Sequence, residues 1–129
     1  MSHHFEFDRD NKVFCTSYEE ELSLADFLSV GEETRRRILD MNPVAGMSDF
    51  SEVTSFALSS AEVRQMAETP PVYPPGIPRF VVAPRDYIYG MARMFQMFAE
   101  VNRPELQVVR TRLEAYKILG LQGMNFERM

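Results

Sequence analysis

The segment Arg79-Phe80-Val81-Val82-Ala83 constrains the fold more than any other part of this 129-residue chain. After its first residue it is a continuous apolar run, and Pro84 ends it because proline cannot donate to a strand ladder. Strands with apolar residues on both faces are typical of parallel sheets covered by helices. The segment therefore predicts a buried strand in a sheet of that kind.

Strand and helix patterns alternate along the rest of the chain. Phe5 and Phe7, then Val13 and Cys15, alternate with polar neighbours around a polar segment, which predicts a β-hairpin. The other predicted elements are a helix over 24–40, a weak strand over 44–53, a helix from Ser59-Ser60 to Glu68, a helix over 87–102 capped by Asp86, a strand over 106–110 and a helix over 113–119 closed by Gly120. The order β-β-α-β-α-β-α-β-α predicts an α/β fold. Its mixed sheet has about five strands, the late ones parallel, with about four helices packed on it.

A segment rich in proline, residues 69–78, holds five of the eight prolines. Proline fixes φ and removes amide donors, so the segment is neither a helix nor a central strand. The 68 residues before it and the 51 after it would each make a poor core alone. We therefore predict one domain over residues 1–129, with this segment as a loop at its rim and residues 122–129 as a C-terminal tail. A docking site for a proline-reading module is the alternative use of the loop.

Composition excludes several classes of partner. The net charge of −5 and the pI of about 5.0 give no general attraction for nucleic acid or anionic lipid. The basic run Arg35-Arg36-Arg37 points in three directions on a helix, which favours a solvated surface over a groove. No apolar stretch approaches the roughly 18 residues that span a bilayer. The single cysteine and the absence of a signal-peptide pattern favour a cytoplasmic location.

Residues suited to catalysis are few. The only histidines, His3 and His4, lie near an end that we expect to be mobile, so a nucleophilic Ser or Cys has no positioned base. Metal-ligand spacings and glycine-rich phosphate loops are absent from the sequence. An acid–base pair built from Asp49, Asp86 or Tyr89 stays open, but no pattern requires it. We therefore expect a protein that is not an enzyme and uses no metal or cofactor.

The predicted helix over 87–102 carries more apolar surface than one face needs. Its stripe of Ile88, Ala92, Phe95 and Ala99 is expected to face the sheet, and Gly90 to allow tight helix–strand packing. Methionine suits adaptable contact surfaces. We predict an interface or ligand-facing surface made by Tyr87, Tyr89, Met91, Met94, Met97 and Phe98. The alternative is that the tail, residues 122–129, folds over this helix and buries it.

The run from Val81 to Phe95, with Ala83-Pro84-Arg85-Asp86 at its centre, carries a family likeness. It is followed by Val109-Arg110-Thr111 and by a helix that ends in Leu119-Gly120-Leu121. This pattern resembles the STAS-type, SpoIIAA-like domains of bacterial anti-sigma-factor antagonists, whose fold group includes the CRAL–TRIO lipid-transfer domains. The resemblance covers most of the chain, most strongly over 79–121 and weakly before Pro43. It implies a SpoIIAA-like fold, while function varies among members, many of which have no known role.

Regulatory members of that family are phosphorylated on a serine near the start of the helix after the third strand. Ser59 and Ser60 are the nearest positions here, and a helix N-terminus favours the phosphate charge. The family's Asp-Ser-x-Gly turn is absent, however, and Ser59 has an alternative role as a helix cap.

Two functions follow as expectations. The first is a protein-interaction or regulatory module that binds a protein partner, or a second copy in a homodimer, through the Met-rich helix. The second is a carrier or sensor of a small apolar ligand such as a lipid, held between that helix and the sheet with Tyr73 and Phe80 nearby.

Overall fold

The computed structural model describes residues 2–129 and contains ten elements. The strands are β1 (Ser2–Asp8), β2 (Val13–Leu22), β3 (Ala45–Phe56), β4 (Arg79–Val82), β5 (Leu106–Val109) and β6 (Glu127–Arg128). The helices are α1 (Leu24–Met41), α2 (Ser60–Glu68), α3 (Asp86–Phe98) and α4 (Arg112–Leu119). The predicted α/β class is confirmed. Six strands form instead of about five, because residues 127–128 pair with β1.

All six strands belong to one mixed sheet in the order β5-β4-β3-β2-β1-β6. Strands β2 to β5 are parallel to one another, whereas β1 runs antiparallel to both β2 and β6. β4 lies between β3 and β5, and all four of its residues are buried. The buried strand expected from the apolar run is therefore confirmed.

The helices cover the two faces of the sheet unequally. Helices α1, α2 and α3 pack on one face, where Val30, Val63 and Ile88 are buried. Helix α4 packs on the other face, where Ala115 and Tyr116 are buried. Each of α1, α2 and α3 joins two neighbouring parallel strands, so crossovers of one hand place all three on the same side. The face covered by three helices can therefore enclose a larger internal space than the face covered by α4 alone.

Helix ends are set by local hydrogen bonds, and one predicted cap is wrong. Ser59 and Glu62 form the predicted capping box of α2, and Gly120 ends α4 with a φ of 71°. At α3, Arg85 occupies the N-cap position without a side-chain bond. Asp86 is instead the first helical residue, and its Oδ1 accepts from Arg110 Nη1 at 2.7 Å. The local sequence pattern assigned the Asp86 carboxylate to capping, but in the structure it forms an ion pair with Arg110, a residue distant in the chain.

Helix α3 ends at Phe98, earlier than the predicted Asn102. Asn102 and Arg103 both donate from their side chains to the carbonyl of Ala67, at the end of α2. Both bonds are made by residues that lie beyond the end of α3. The expected close packing at Gly90 is also wrong, because a Cβ there would meet nothing within 4 Å. Gly90 lies on the outer side of α3.

The two ends of the chain lie beside each other at β1. His3 and His4 pair with Tyr18 and Ser17 of β2, so the expectation of a mobile end is wrong. The tail, residues 122–129, does not cover α3, so the alternative prediction that it buries this helix is wrong. It adds β6 to the sheet edge, and its Phe126 contacts the ring of Tyr116 on the opposite face.

Candidate ligand-binding cavity

A cavity of about 100 Å³ lies between the sheet and helices α1–α3, and we call it the core cavity. Its helical walls come mainly from Phe27 and Gly31 of α1, Val63 and Met66 of α2, and Met91 and Phe95 of α3. Its other walls include Thr16, Gly46, Ser48, Tyr73, Arg79, Arg103 and Leu106. Most of the lining is apolar, and the polar groups are few.

The proline-rich loop closes one side of the core cavity through Tyr73. The backbone N–H of Gly46 in β3 donates to the carbonyl of Pro78 at 3.0 Å, which holds the loop against the sheet. A Cβ built on Gly46 would overlap the ring of Tyr73. The ring therefore rests on bare backbone, and glycine is required at position 46 because of this close approach.

Two residues that line the core cavity each have a buried polar atom without a hydrogen-bond partner among residues 2–129. The two atoms are Oη of Tyr73 and Nε of Arg79. Gly46 and Arg79 are register partners in the parallel strands β3 and β4. Neighbouring strands lie about 4.8 Å apart and register partners share a face, so the two groups are adjacent on the cavity side. An unpaired buried group costs roughly 1–3 kcal/mol, which makes this pair unusual.

Arg79 is charged, and it shares a carboxylate with the loop. Its Nη2 donates to Glu105 Oε2 at 2.9 Å, and only 7% of its side chain is exposed. The other carboxylate oxygen, Oε1, accepts from the backbone N–H of Gly76 at 2.8 Å. The bond from Gly76 and the guanidinium of Arg79 hold the pKa of Glu105 below its usual range. Glu105 thus fixes both the loop and Arg79.

A second buried arginine, Arg103, lines the same space without an acidic partner. Its Nη1 donates to the carbonyl of Ala67 at 2.8 Å and its Nη2 to Thr69 Oγ1 at 3.3 Å. Its guanidinium also lies 5.2 Å from the ring centre of Phe95. Among residues 2–129 no carboxylate forms an ion pair with it, and burial together with the charge of Arg79 lowers its pKa to about 10. Arg79, Arg103 and Glu105 therefore carry a local net charge of about +1.

The six predicted site residues of α3 fall into different surroundings. Met91 lines the core cavity, and Met94 packs against the core from a half-buried position. Tyr87 and Met97 are 64% and 70% exposed. The guanidinium of Arg110 lies 3.8 Å from the ring centre of Tyr89, and that of Arg64 lies 4.5 Å from Phe98. The structure thus assigns only Met91 of this set to the cavity.

The two serines considered for phosphorylation stand at the start of α2. Ser59 Oγ accepts from the N–H of Glu62 at 3.2 Å, and the N–H of Ser59 donates to Glu62 Oε1 at 3.0 Å. Ser60 is the first helical residue, and both serines are exposed. The capping bonds account for Ser59 as a structural residue.

A polar network lies on the opposite face of the sheet, beside α4. Arg112 donates from Nε to Asp49 at 2.6 Å and from Nη2 to Glu6 at 2.7 Å. His4 bonds to Glu6 and Glu19, and Cys15 is buried nearby with its pKa raised by that burial. These groups satisfy each other, so the network ties β1 and β3 to α4. No cluster of ligating side chains suited to a metal ion occurs within residues 2–129.

Sequence patterns pointed to Tyr73 and to α3 but missed the two arginines that line the cavity and the glutamate that pairs with one of them. Arg79, Arg103 and Glu105 come together from β4 and from the connection before β5. One sequence feature could have indicated the site: an arginine at the start of a strand that is otherwise apolar and buried. Whether such an arginine marks a binding site depends on which residues the fold places beside it.

No model of a known protein family matches the chain, and no curated protein matches it. Across residues 2–129, none of the helices has both the length and the apolarity required to cross a bilayer, in agreement with the expectation from sequence. Function must therefore be inferred from the geometry of the cavity.

Proposed function

We propose that the protein binds a small apolar molecule in the core cavity, as a carrier or sensor of that ligand. The observation that carries this proposal is a largely apolar space in which Tyr73 Oη and Arg79 Nε lack partners. Ligand sites typically combine apolar walls with a few polar groups that orient the ligand. Unpaired buried groups are costly in a protein that never meets a ligand.

The volume limits the size of the ligand. An engineered apolar cavity of roughly 150 Å³ binds benzene, so a space of about 100 Å³ limits the apolar part of a ligand to a small ring or a short chain at most. A longer lipid would require the loop with Tyr73, or a helix, to move outward. We therefore propose a ligand whose apolar part is no larger than one ring or a short chain.

Methionine methyl groups offer a direct test. Met66 and Met91 line the core cavity, whereas Met97, Met124 and Met129 are exposed elsewhere. In ¹³C-methyl NMR, toluene should shift the signals of the first two and leave the exposed methionines unchanged. Equal shifts at both sets, or none at the cavity set, would contradict the proposal. Native mass spectrometry of the purified protein then shows whether a ligand is retained.

A second function, self-association of a regulatory module of the STAS type, is favoured by one different observation. Four residues spaced along the outer side of α3 form an apolar outer stripe: Tyr87, Gly90, Met94 and Met97. Tyr87 and Met97 are largely exposed, and Gly90 faces open space. Such a stripe can pair with the same stripe of a second copy in a symmetric dimer. This role would use neither the core cavity nor catalytic chemistry.

A further inference from the structure

We propose that the ligand of the core cavity is a small monocarboxylate, an apolar body that ends in one carboxylate accepted between Arg79 and Tyr73. The inference rests on the proposed function, because it specifies the chemistry of the molecule bound there. Three features lead to it: the kind of polar atom left unpaired, the local charge and the volume.

Both unpaired atoms are hydrogen-bond donors. Arg79 Nε carries a proton and cannot accept, and the tyrosine hydroxyl keeps its proton because burial raises the pKa of Tyr73. A partner of Arg79 Nε must therefore supply an acceptor oxygen, and the Tyr73 hydroxyl can donate to the same group. Since the two donors are adjacent on one face of the sheet, one group with two oxygens can accept from both.

The local charge calls for an anion with a single charge. Arg79 and Arg103 are both buried, and Glu105 balances only one of them. Buried charges in proteins are normally paired, because an isolated one is costly. A carboxylate would bring the set close to neutrality. A phosphate dianion would leave an excess of negative charge, and a neutral alcohol or amide would leave the excess positive charge in place.

The remaining lining fixes the rest of the ligand. Phe27, Val63, Met66 and Phe95 present apolar surface to the space and offer no hydrogen bond from their side chains. With about 100 Å³ available, the body is one ring or a short chain. Phenylacetate and hexanoate have apolar bodies of these two kinds, one ring and one short chain. The same headgroup also ends long-chain fatty acids, which the test must separate from small acids.

The test compares probes that differ in one property each, with the cavity methionine methyls as the readout. Toluene tests for the apolar cavity, and phenylacetate against phenylacetamide tests for the charge. Phenyl phosphate and dodecanoate test for the other headgroup and for the longer chain. We expect phenylacetate to bind at least about tenfold more tightly than phenylacetamide, equivalent to about 1.4 kcal/mol, and more tightly than phenyl phosphate or dodecanoate.

The Tyr73→Phe variant removes one donor while it keeps the ring over Gly46. Its affinity for phenylacetate should fall by about fivefold or more, and its affinity for toluene should not change. Tyr89→Phe is the matched control, because the Tyr89 ring lies under Arg110 and does not line the cavity. Binding of phenylacetate to the control should equal that of the unmodified protein.

The outcomes separate the two levels of the proposal. If toluene binds but phenylacetate gains nothing over phenylacetamide, or Tyr73→Phe binds it equally well, the carboxylate assignment is wrong and the apolar cavity remains. Tighter binding of phenyl phosphate or dodecanoate overturns the small monocarboxylate in the same way. If neither toluene nor phenylacetate shifts the cavity methyls, the proposed function itself is wrong.

Discussion

The ring of Tyr73 lies on the backbone of Gly46, in the space where any other residue would place its Cβ. This contact joins the proline-rich loop to the sheet and brings the hydroxyl next to Arg79, the register partner of Gly46. A glycine without a turn or a positive φ is thus explained by a close approach between a loop and a strand. The contact sets one wall of the core cavity.

Replacement of Gly46 by Ala should destabilise the protein by about 1–3 kcal/mol, because the added Cβ must displace the Tyr73 ring. The cost should largely disappear in a Tyr73→Ala background, where no ring is present to be displaced. Urea unfolding of both single variants and the double variant measures this coupling. Additive losses would mean that the two residues do not contact.

Gly31→Leu should fill part of the core cavity from α1 and reduce toluene binding at least tenfold. Gly31 lines the cavity, and a Cβ there would meet only a methyl of Val72, at 3.6 Å. Gly90→Leu is the matched control, because it also replaces a helical glycine but points to open space. Both variants should be slightly more stable in the helix, by up to about 1 kcal/mol. Equal toluene binding by the two variants would place the ligand elsewhere.

Stability should fall as the pH drops below about 4.5, in part through Glu6. Burial acts against its charged form, but the bonds and charge of Arg112 and His4 outweigh this effect and lower its pKa from 4.5. Because the folded pKa lies below the unfolded one, the contribution of Glu6 is complete above the unfolded value. It is lost as the pH falls through the folded value.

Arg112→Met should weaken this acid dependence, because Glu6 loses its main charged partner. The variant should also lose roughly 2–4 kcal/mol at pH 7, since Glu6 and Asp49 are left without their cation. Thermal unfolding from pH 3 to pH 7 gives both quantities. An Arg128→Met variant, which changes an exposed arginine of β6, should behave as the unmodified protein.

Ser59→Ala should cost about 1 kcal/mol, because it removes the cap that accepts from the N–H of Glu62. Ser60→Ala should change stability little, since the Ser60 side chain is exposed and makes no capping bond at α2. Chemical denaturation distinguishes the two variants. A larger loss at Ser60 would contradict the assignment of the cap.

Met97→Asp should abolish self-association through the outer stripe and leave the fold intact, because the residue is 70% exposed. Light scattering after size-exclusion chromatography measures the molar mass of both proteins. Leu39→Asp, at a position 79% exposed on α1, is the control for a charge added to an apolar surface elsewhere. A dimer that survives Met97→Asp would exclude this stripe as its interface.

Local patterns in the sequence determined the class of the fold. The apolar run before Pro84 predicted β4, the Ser59–Glu62 pair predicted the start of α2, and Gly120 predicted the end of α4. Each of these features depends on residues close together in the chain, where periodicity and capping bonds act directly. The same reasoning was wrong about the cap at Asp86 and about the helix end at Asn102. At both positions the side chain bonds to a residue that is distant in the chain.

Only the tertiary structure decided where a ligand could bind. The residues of the candidate site come from separate elements: Tyr73 from the proline-rich loop, Arg79 from β4, and Arg103 and Glu105 from the connection before β5. They lie close together because of the strand order and the approach of the loop to Gly46. The sequence likewise allowed the tail to cover α3. In the structure the tail instead pairs with β1, at one edge of the sheet. Whether packing leaves a cavity or fills it depends on many contacts between residues that are far apart in the chain. No local sequence pattern indicates those contacts.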